Sequence, residues 1–285
     1  MIDGGSTDGS RQVIERYSDH LAFWCSEPDL GQYDAINKGF KNTSGEIMAW
    51  LNSSDLYLPW TLSTVREIFD KYPEVDWITS LPKTCIREDG VFESIVEVAG
   101  FTAARLCGGG HGGPKSGEYV QQETCFWRRD LWEKIGGEIS NKYRFAGDFW
   151  LWSAFFRHSR CTGIDVPLAA FRFHGDQRSA ASKYVEEIAG LIGELKNEKP
   201  ENFVRGYQNI VRYWIPGPDG ICGQSRWKLD KHADDHYLEV FRWWMERSRD
   251  LKWWGSKLSY LPISMAKFFM RGCRRMTPEE ISGKR

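Results

Sequence analysis

Residues 44–59, SGEIMAWLNSSDLYLP, decide the fold. Glu46 to Leu51 is a near-continuous apolar run of the kind carried by a strand covered on both faces. It passes directly into polar Asn52, Ser53, Ser54 and Asp55. Pro59 then suits the first position of a helix whose Leu62, Val65, Ile68 and Phe69 share one face, and Tyr72-Pro73 ends it. Working outward, VDWITS (75–80) reads as the next strand and GQYDAINKGF (31–40) as a helix with Ala35, Ile36 and Phe40 inward. HLAFWCSEPD (20–29) reads as a short strand ending in a loop. At the start, MIDGGSTDGS (1–10) is the end of a strand, a tight Asp3-Gly4-Gly5 turn, and oxygen acceptors including Asp8 for a helix bearing Val13, Ile14 and Tyr17. Strands alternating with helices predict an α/β sandwich with a mainly parallel sheet.

Beyond Ser80 the pattern changes. CIREDGVFES (85–94) carries the Asp89-Gly90 hairpin signal, and LCGGGHGGPKSG (106–117) has no hydrophobic period. QETCFW (122–127) predicts a strand feeding a helix that Gly136 ends. AGDFWLWSAFF (146–156) predicts an apolar helix beginning at or near Asp148, followed by the strand VPLAAFRFH (166–174). From about Ser182 onward the chain reads as tryptophan-rich helices with loops around IPGPDG (215–220). The expected division is therefore 1–182 as the main domain and 183–285 as a helical extension.

The chain of 285 residues is 41% hydrophobic and 14% aromatic, ample for a sizeable core. A net charge of −1 gives no pull toward nucleic acid. The segment 251–275 departs from this balance: Lys252, Lys257, Lys267, Arg271, Arg274 and Arg275 lie among aromatics with no acid, as in a helix contacting a membrane surface or an anionic partner. Packing of that segment as a helical extension is the other reading. The seven cysteines form no CxxC pair, which argues for reduced thiols of a cytosolic protein and against a disulfide or zinc framework.

Three constellations can carry chemistry. In open α/β sheets ligands bind beyond the carboxyl ends of strands, so Asn52, Ser54 and Asp55 stand where a phosphate or a divalent cation is expected. A turn and cap before the Pro59 helix explains them equally. Asp148 heads an apolar helix, as a helix cap or as a general base tuned by the aromatics around it. His174, with Gln177, Arg178 and Ser179, offers a metal ligand and donors for anionic oxygens, or a satisfied structural histidine. His232 and His236, spaced i, i+4, read as a solvated helix face, and GGGHGG (108–113) lacks the strand-to-helix context of a phosphate loop.

Six stretches, IDGGSTDGS, SEPDLGQYDAINKGF, SGEIMAWLNSSDLYLP, QQETCFWRRDLWEKIGG, FAGDFWLW and FRFHGDQRS, resemble in order and spacing the bacterial family 2 glycosyltransferases of the GT-A fold. The resemblance covers roughly Ile2 to Ser182. It implies an inverting transferase moving a sugar from a nucleotide diphosphate-sugar to a hydroxyl of a glycan or lipid-linked acceptor, in polysaccharide or glycan biosynthesis at the cytoplasmic face of a membrane. It implies Asp3 as the nucleobase contact, Asn52 to Asp55 as the metal and diphosphate segment, Asp148 as the catalytic base and His174 near the diphosphate. Arg178 joins the donor-binding set, Asp55 and His174 the metal set, and Mg or Mn is the implied cofactor. Two departures stand out. Ser54 replaces a carboxylate usual in the family, and relatives carry a first strand, a loop and a helix ahead of the Asp3 turn. These departures also admit a second reading, a remnant that binds a partner without catalysing transfer.

Overall fold

The computed structural model describes residues 1–98, 100–107, 119–175, 182–204, 209–214 and 226–230. Along the chain these form β1 (Ile2–Asp3), α1 (Ser10–Arg16), β2 (Cys25–Ser26), α2 (Gln32–Lys41), β3 (Ile47–Met48), β4 (Leu56–Tyr57), α3 (Thr61–Lys71), β5 (Trp77–Ser80), β6 (Pro82–Ile86) and β7 (Phe92–Glu97). They continue as α4 (Ala103–Cys107), β8 (Phe126–Arg128), α5 (Arg129–Lys134), α6 (Gly147–Phe155), β9 (Thr162–Ile164), β10 (Ala169–Arg172), α7 (Ser182–Lys196), β11 (Asn209–Trp214) and β12 (Arg226–Asp230). Arg178 and residues 251–275 lie outside the described residues, as do Gln177, Ser179, His232, His236 and most of the 106–117 loop. Among the described residues no helix is long and apolar enough to cross a membrane.

The central sheet has six strands in the order β12-β11-β9-β5-β8-β3. Because successive side chains of a strand leave opposite faces, adjacent residues feed separate cores. Ile78 of β5 faces its cross-strand partner Phe126 of β8 and packs with Val65, Ile68 and Phe69 of α3. Trp77 pairs across the same strands with Trp127 and enters the larger core on the other face, with residues of α2, α5, α6 and α7. There Trp152 of α6 stacks between Trp50 and Trp77, with ring centroids 6.1 and 5.6 Å away. Burying large aromatics at this density is the dominant stabilising term available to the fold.

Two sheet features differ from expectation. The sheets are mixed rather than mainly parallel: β9 runs parallel to β5 and β11, but β8 runs antiparallel to both β5 and β3. The reason is the excursion after β5, where the chain leaves through the β6–β7 hairpin and re-enters the sheet at β8 from the opposite end. Residues 209–214 and 226–230, expected to be helical, are instead an antiparallel strand pair, with β11 joined in parallel to β9. NIVRYW is rich in β-branched and aromatic residues, whose fit to a pleated surface outweighs helical neighbours in sequence. Beyond the boundary expected at 182, α7 places Ile188, Leu191 and Leu195 in the larger core.

A four-stranded sheet, β4-β10-β6-β7, stands beside the central one, and its β6–β7 hairpin turns at Asp89-Gly90, with Gly90 at φ +84°. β1 and β2 pair in parallel as a separate two-stranded sheet. α1 buries Ile14 alone, while Val13 and Tyr17 are exposed.

Candidate functional site

Asp55 is placed by the β4–β10 ladder. Leu56 and Tyr57 pair antiparallel with Ala170 and Ala169, which brings Arg172 opposite the residues just before β4. The Arg172 backbone N–H donates to Asp55 Oδ1 at 3.0 Å, and its Nε donates to the Ser54 carbonyl at 2.7 Å. The same guanidinium donates to the Glu88 carbonyl at 2.9 Å, tying the 52–55 turn to the β6–β7 hairpin. Asn52 braces the turn from the other side. Its Oδ1 accepts from Gln32 Nε2 at 2.6 Å, and its Nδ2 donates to Asp55 Oδ2 at 3.2 Å and to Gln122 Oε1 at 2.9 Å. Gln122 is anchored in turn on the Trp50 carbonyl. Burial raises the Asp55 carboxyl above its ordinary range, against the hydrogen bonds from Arg172 and Asn52 and the nearby His174.

Asp148 is likewise raised by desolvation, but it stands at the head of a helix rather than in a turn. It is the second residue of α6, and the helix cap position falls on Ala146, which has no side-chain cap of its own. Asp148 Oδ1 accepts from the Phe149 N–H at 2.8 Å and from the Tyr33 hydroxyl at 3.3 Å. The Phe145 carbonyl, 3.0 Å from the same hydroxyl, shares its single proton with Asp148. Gly147 makes this approach possible, since a Cβ there would meet the Tyr33 ring at 2.7 Å. Burial pushes the Asp148 carboxyl up to about 6, where a carboxylate can both take and give a proton near neutrality.

Glu123, in the 3-10 turn Gln122–Thr124, is buried and influenced by both Asp55 and Asp148. Burial, with repulsion from those two carboxylates, raises it to about 8. It accepts a hydrogen bond from Gln121 Nε2 at 2.5 Å.

The sequence-expected residues thus divide. Asn52, Ser54 and Asp55 are joined to one another or to Arg172 by hydrogen bonds, His174 is close enough to Asp55 to favour its charged form, and Glu123 feels the charges of both Asp55 and Asp148. Asp3 belongs to a third group. Its carboxylate accepts from Gly5 N–H (3.2 Å), Ser6 N–H (3.0 Å), Ser6 Oγ (2.5 Å) and Ser26 Oγ (2.6 Å). The Ser26 hydroxyl, followed by Ser6, holds its carboxyl below the ordinary value. Beside it Asp29 accepts from the Gly31 N–H at 2.8 Å and packs on Gly4, where a Cβ would lie 2.5 Å from its Oδ2. Asp8 accepts from the Ser10 N–H at 3.0 Å at the start of α1.

Sequence reasoning missed Gln32, Tyr33, Asp29, Arg172, Gln122 and Glu123 as members of the site. All six lie inside the quoted stretches, so adjacency to the polar turns was the available signal.

Comparison with known proteins follows this geometry. The family model described as glycosyl transferase family 2 matches residues 1–94. An uncharacterized glycosyltransferase of Mycobacterium tuberculosis is 40% identical over 57 residues, 20% of this chain and 22% of the relative. One of a Nostoc species is 33% identical over 72 residues, covering 24% and 22% of the two chains. The matched stretches therefore span about a fifth of the length of these curated relatives. Among solved structures, Staphylococcus aureus TarS 1–349 in complex with UDP-GlcNAc superposes with a TM-score of 0.51 at 17% identity, covering 68% of this chain and 56% of that one. The shared architecture is GT-A.

Proposed function

We propose, from the match of residues 1–94 to glycosyl transferase family 2 and from the GT-A fold, a transferase that moves a sugar from a nucleotide diphosphate-sugar to an acceptor hydroxyl. The observation that carries the reading is Asp148: a half-buried carboxyl at the head of α6, raised to about 6 by desolvation, with one oxygen accepting from the Phe149 N–H and the Tyr33 hydroxyl. In this reading transfer inverts the anomeric centre in one displacement. The acceptor oxygen bonds to the anomeric carbon, the bond from that carbon to the diphosphate oxygen breaks, and the acceptor proton passes to Asp148. Tyr33, itself kept neutral by burial and the Asp148 charge, fixes the carboxyl from one side.

The donor diphosphate lies toward Asp55 and His174. The buried, elevated Asp55 carboxyl fits a divalent cation, because a positive charge would relieve the cost of ionising it there. Among the described residues no three His, Cys, Asp or Glu side chains converge, so Asp55 and His174 would hold Mg or Mn jointly with phosphate oxygens and water. Bound there, the cation would neutralise the charge that develops on the leaving diphosphate. Ser54 contributes its carbonyl to Arg172, which keeps the turn in shape where relatives carry a second carboxylate. The network from Gln32 through Asn52 to Gln122 keeps Asp55 facing this space. Asp3, saturated by four donors, supports the base end of the nucleotide by holding the 3–6 turn.

Thermal-shift measurements on the full chain with UDP, GDP and their sugar conjugates, with and without Mn, test this reading. At least one should raise the midpoint, by an amount equivalent to about 2.7 kcal/mol at a hundredfold excess over Kd. Asp55→Asn should remove the Mn-dependent part. No shift with any of them contradicts the reading.

A further inference from the structure

We infer that Glu187, on α7 and outside the stretches that resemble the family, is the positioning residue of Asp148. The inference rests on the role proposed for Asp148. The segment entering α6 has amides that no helical carbonyl satisfies. Glu187 reaches across from α7 and takes three in succession: Oε1 accepts from Arg144 N–H at 3.1 Å, and Oε2 accepts from Phe145 and Ala146 N–H at 2.8 Å each. The last of these lies two residues before Asp148. The peptides on either side of Phe145 are thereby both held, its N–H by Glu187 and its carbonyl by the Tyr33 hydroxyl that also touches Asp148.

The rest of α7 makes this grip rigid. Ile188, Leu191 and Leu195 seat the helix in the larger core. Two turns beyond Glu187, Glu194 accepts from Lys142 Nζ at 2.6 Å and from the Tyr143 hydroxyl at 2.9 Å. Glu187, Leu191 and Glu194 fall on one helical face, so a single helix clamps residues 142–146 at two points. A carboxylate at the N-terminus of α6 also suits the helix dipole. Its negative charge adds to the burial that raises Asp148. Glu187 therefore acts through Asp148 in two ways, by direction and by charge.

The experiment is a ¹³C carboxyl titration of Asp148 in the full chain, its resonance assigned by its loss in Asp148→Asn, together with pH profiles of nucleoside diphosphate release from the UDP- and GDP-sugars. Glu187→Gln keeps an acceptor oxygen but removes the charge, so the Asp148 midpoint should move down with release reduced less than about tenfold. Glu187→Ala frees the amides and should lower kcat by about 100-fold with the donor KM unchanged, the penalty of a displaced reacting group. Glu194→Ala, further from the carboxyl, should leave the Asp148 midpoint in place. An unmoved midpoint in Glu187→Gln overturns the inference, and so does wild-type kcat in folded Glu187→Ala. If Glu187→Ala does not fold, the midpoint in Glu187→Gln decides alone. Undiminished release in Asp148→Asn instead counts against the base role, while the midpoint still reports on Glu187.

Discussion

Asp3 and Asp148 are the same residue type with carboxyls displaced in opposite directions. Asp3 sits at the edge of a two-stranded sheet, where hydroxyls and amides converge on it and hold the charged form below its ordinary range. Asp148 sits among Tyr33 and the aromatic core, where removal from water lifts it to about 6. Exposure does not make the difference, since Asp3 is itself only 9% exposed. The donors do: two amides and two hydroxyls converge on Asp3, against the Phe149 N–H and the Tyr33 hydroxyl on Asp148. The contrast teaches that two means set carboxyls in this chain, hydrogen bonds that favour the charged form and desolvation that disfavours it; in the reading proposed above the first serves binding and the second proton transfer.

The strongest way to break the contrast is Asp148→Asn. It should lower nucleoside diphosphate release by about 10² to 10⁴-fold, the usual loss when a positioned base is removed. The fold should survive, because the amide occupies the same volume at a half-buried position and still offers an acceptor oxygen to the Phe149 N–H. Gly147→Ala comes next. Its Cβ would collide with the Tyr33 ring, which should cost about 1–3 kcal/mol in denaturant unfolding and pull Tyr33 off Asp148, lowering kcat as well.

Glu123 sharpens the comparison through pH. Its folded value of about 8 lies above the ordinary 4.5, so the folded state retains a proton that the unfolded state has released. That contribution to stability is complete below about 4.5 and is lost as pH rises toward about 8. The wild-type thermal midpoint should fall across this window, and Glu123→Gln should flatten the decline. Asp3 gives the opposite sign: its depressed carboxyl contributes stability above the ordinary 3.8, lost as pH falls through the lower folded value. Asp3→Asn should cost about 1–2 kcal/mol in denaturant unfolding, since an amide cannot accept from all four donors. Arg11→Ala, which removes an exposed i, i+4 pair with Glu15 on α1, should cost only about 0.3 kcal/mol.

How far the sequence could be read follows the same physics. Local signals carried through wherever one segment supplied both pattern and punctuation. VDWITS gave β5, Asp89-Gly90 gave the β6–β7 turn, and Gly136 ended the helix after β8 with a positive φ of 101°. Expectations failed where distant chain decides. The helical period of Val13, Ile14 and Tyr17 carried through as α1, but which of the three is buried, Ile14 alone, is set by tertiary packing. The direction of β8 depends on an excursion of more than forty residues, which periodicity does not encode. At the site, Asp55 and Asp148 were legible because each follows an apolar run or heads an apolar helix. Arg172 was not, because its hold on the 52–55 turn is set by the β4–β10 register. Glu187 was least legible of all: on α7 it is one charged residue among several, and only packing aims it at residues 144–146.

The central claim, that their surroundings displace two aspartate carboxyls in opposite directions, is tested most directly by ¹³C titration of the aspartate carboxyls in the folded full chain. The account predicts a midpoint for Asp148 near 6 and one for Asp3 below 3.8. Asp148 titrating at or below 3.8, or Asp3 above it, would contradict the account.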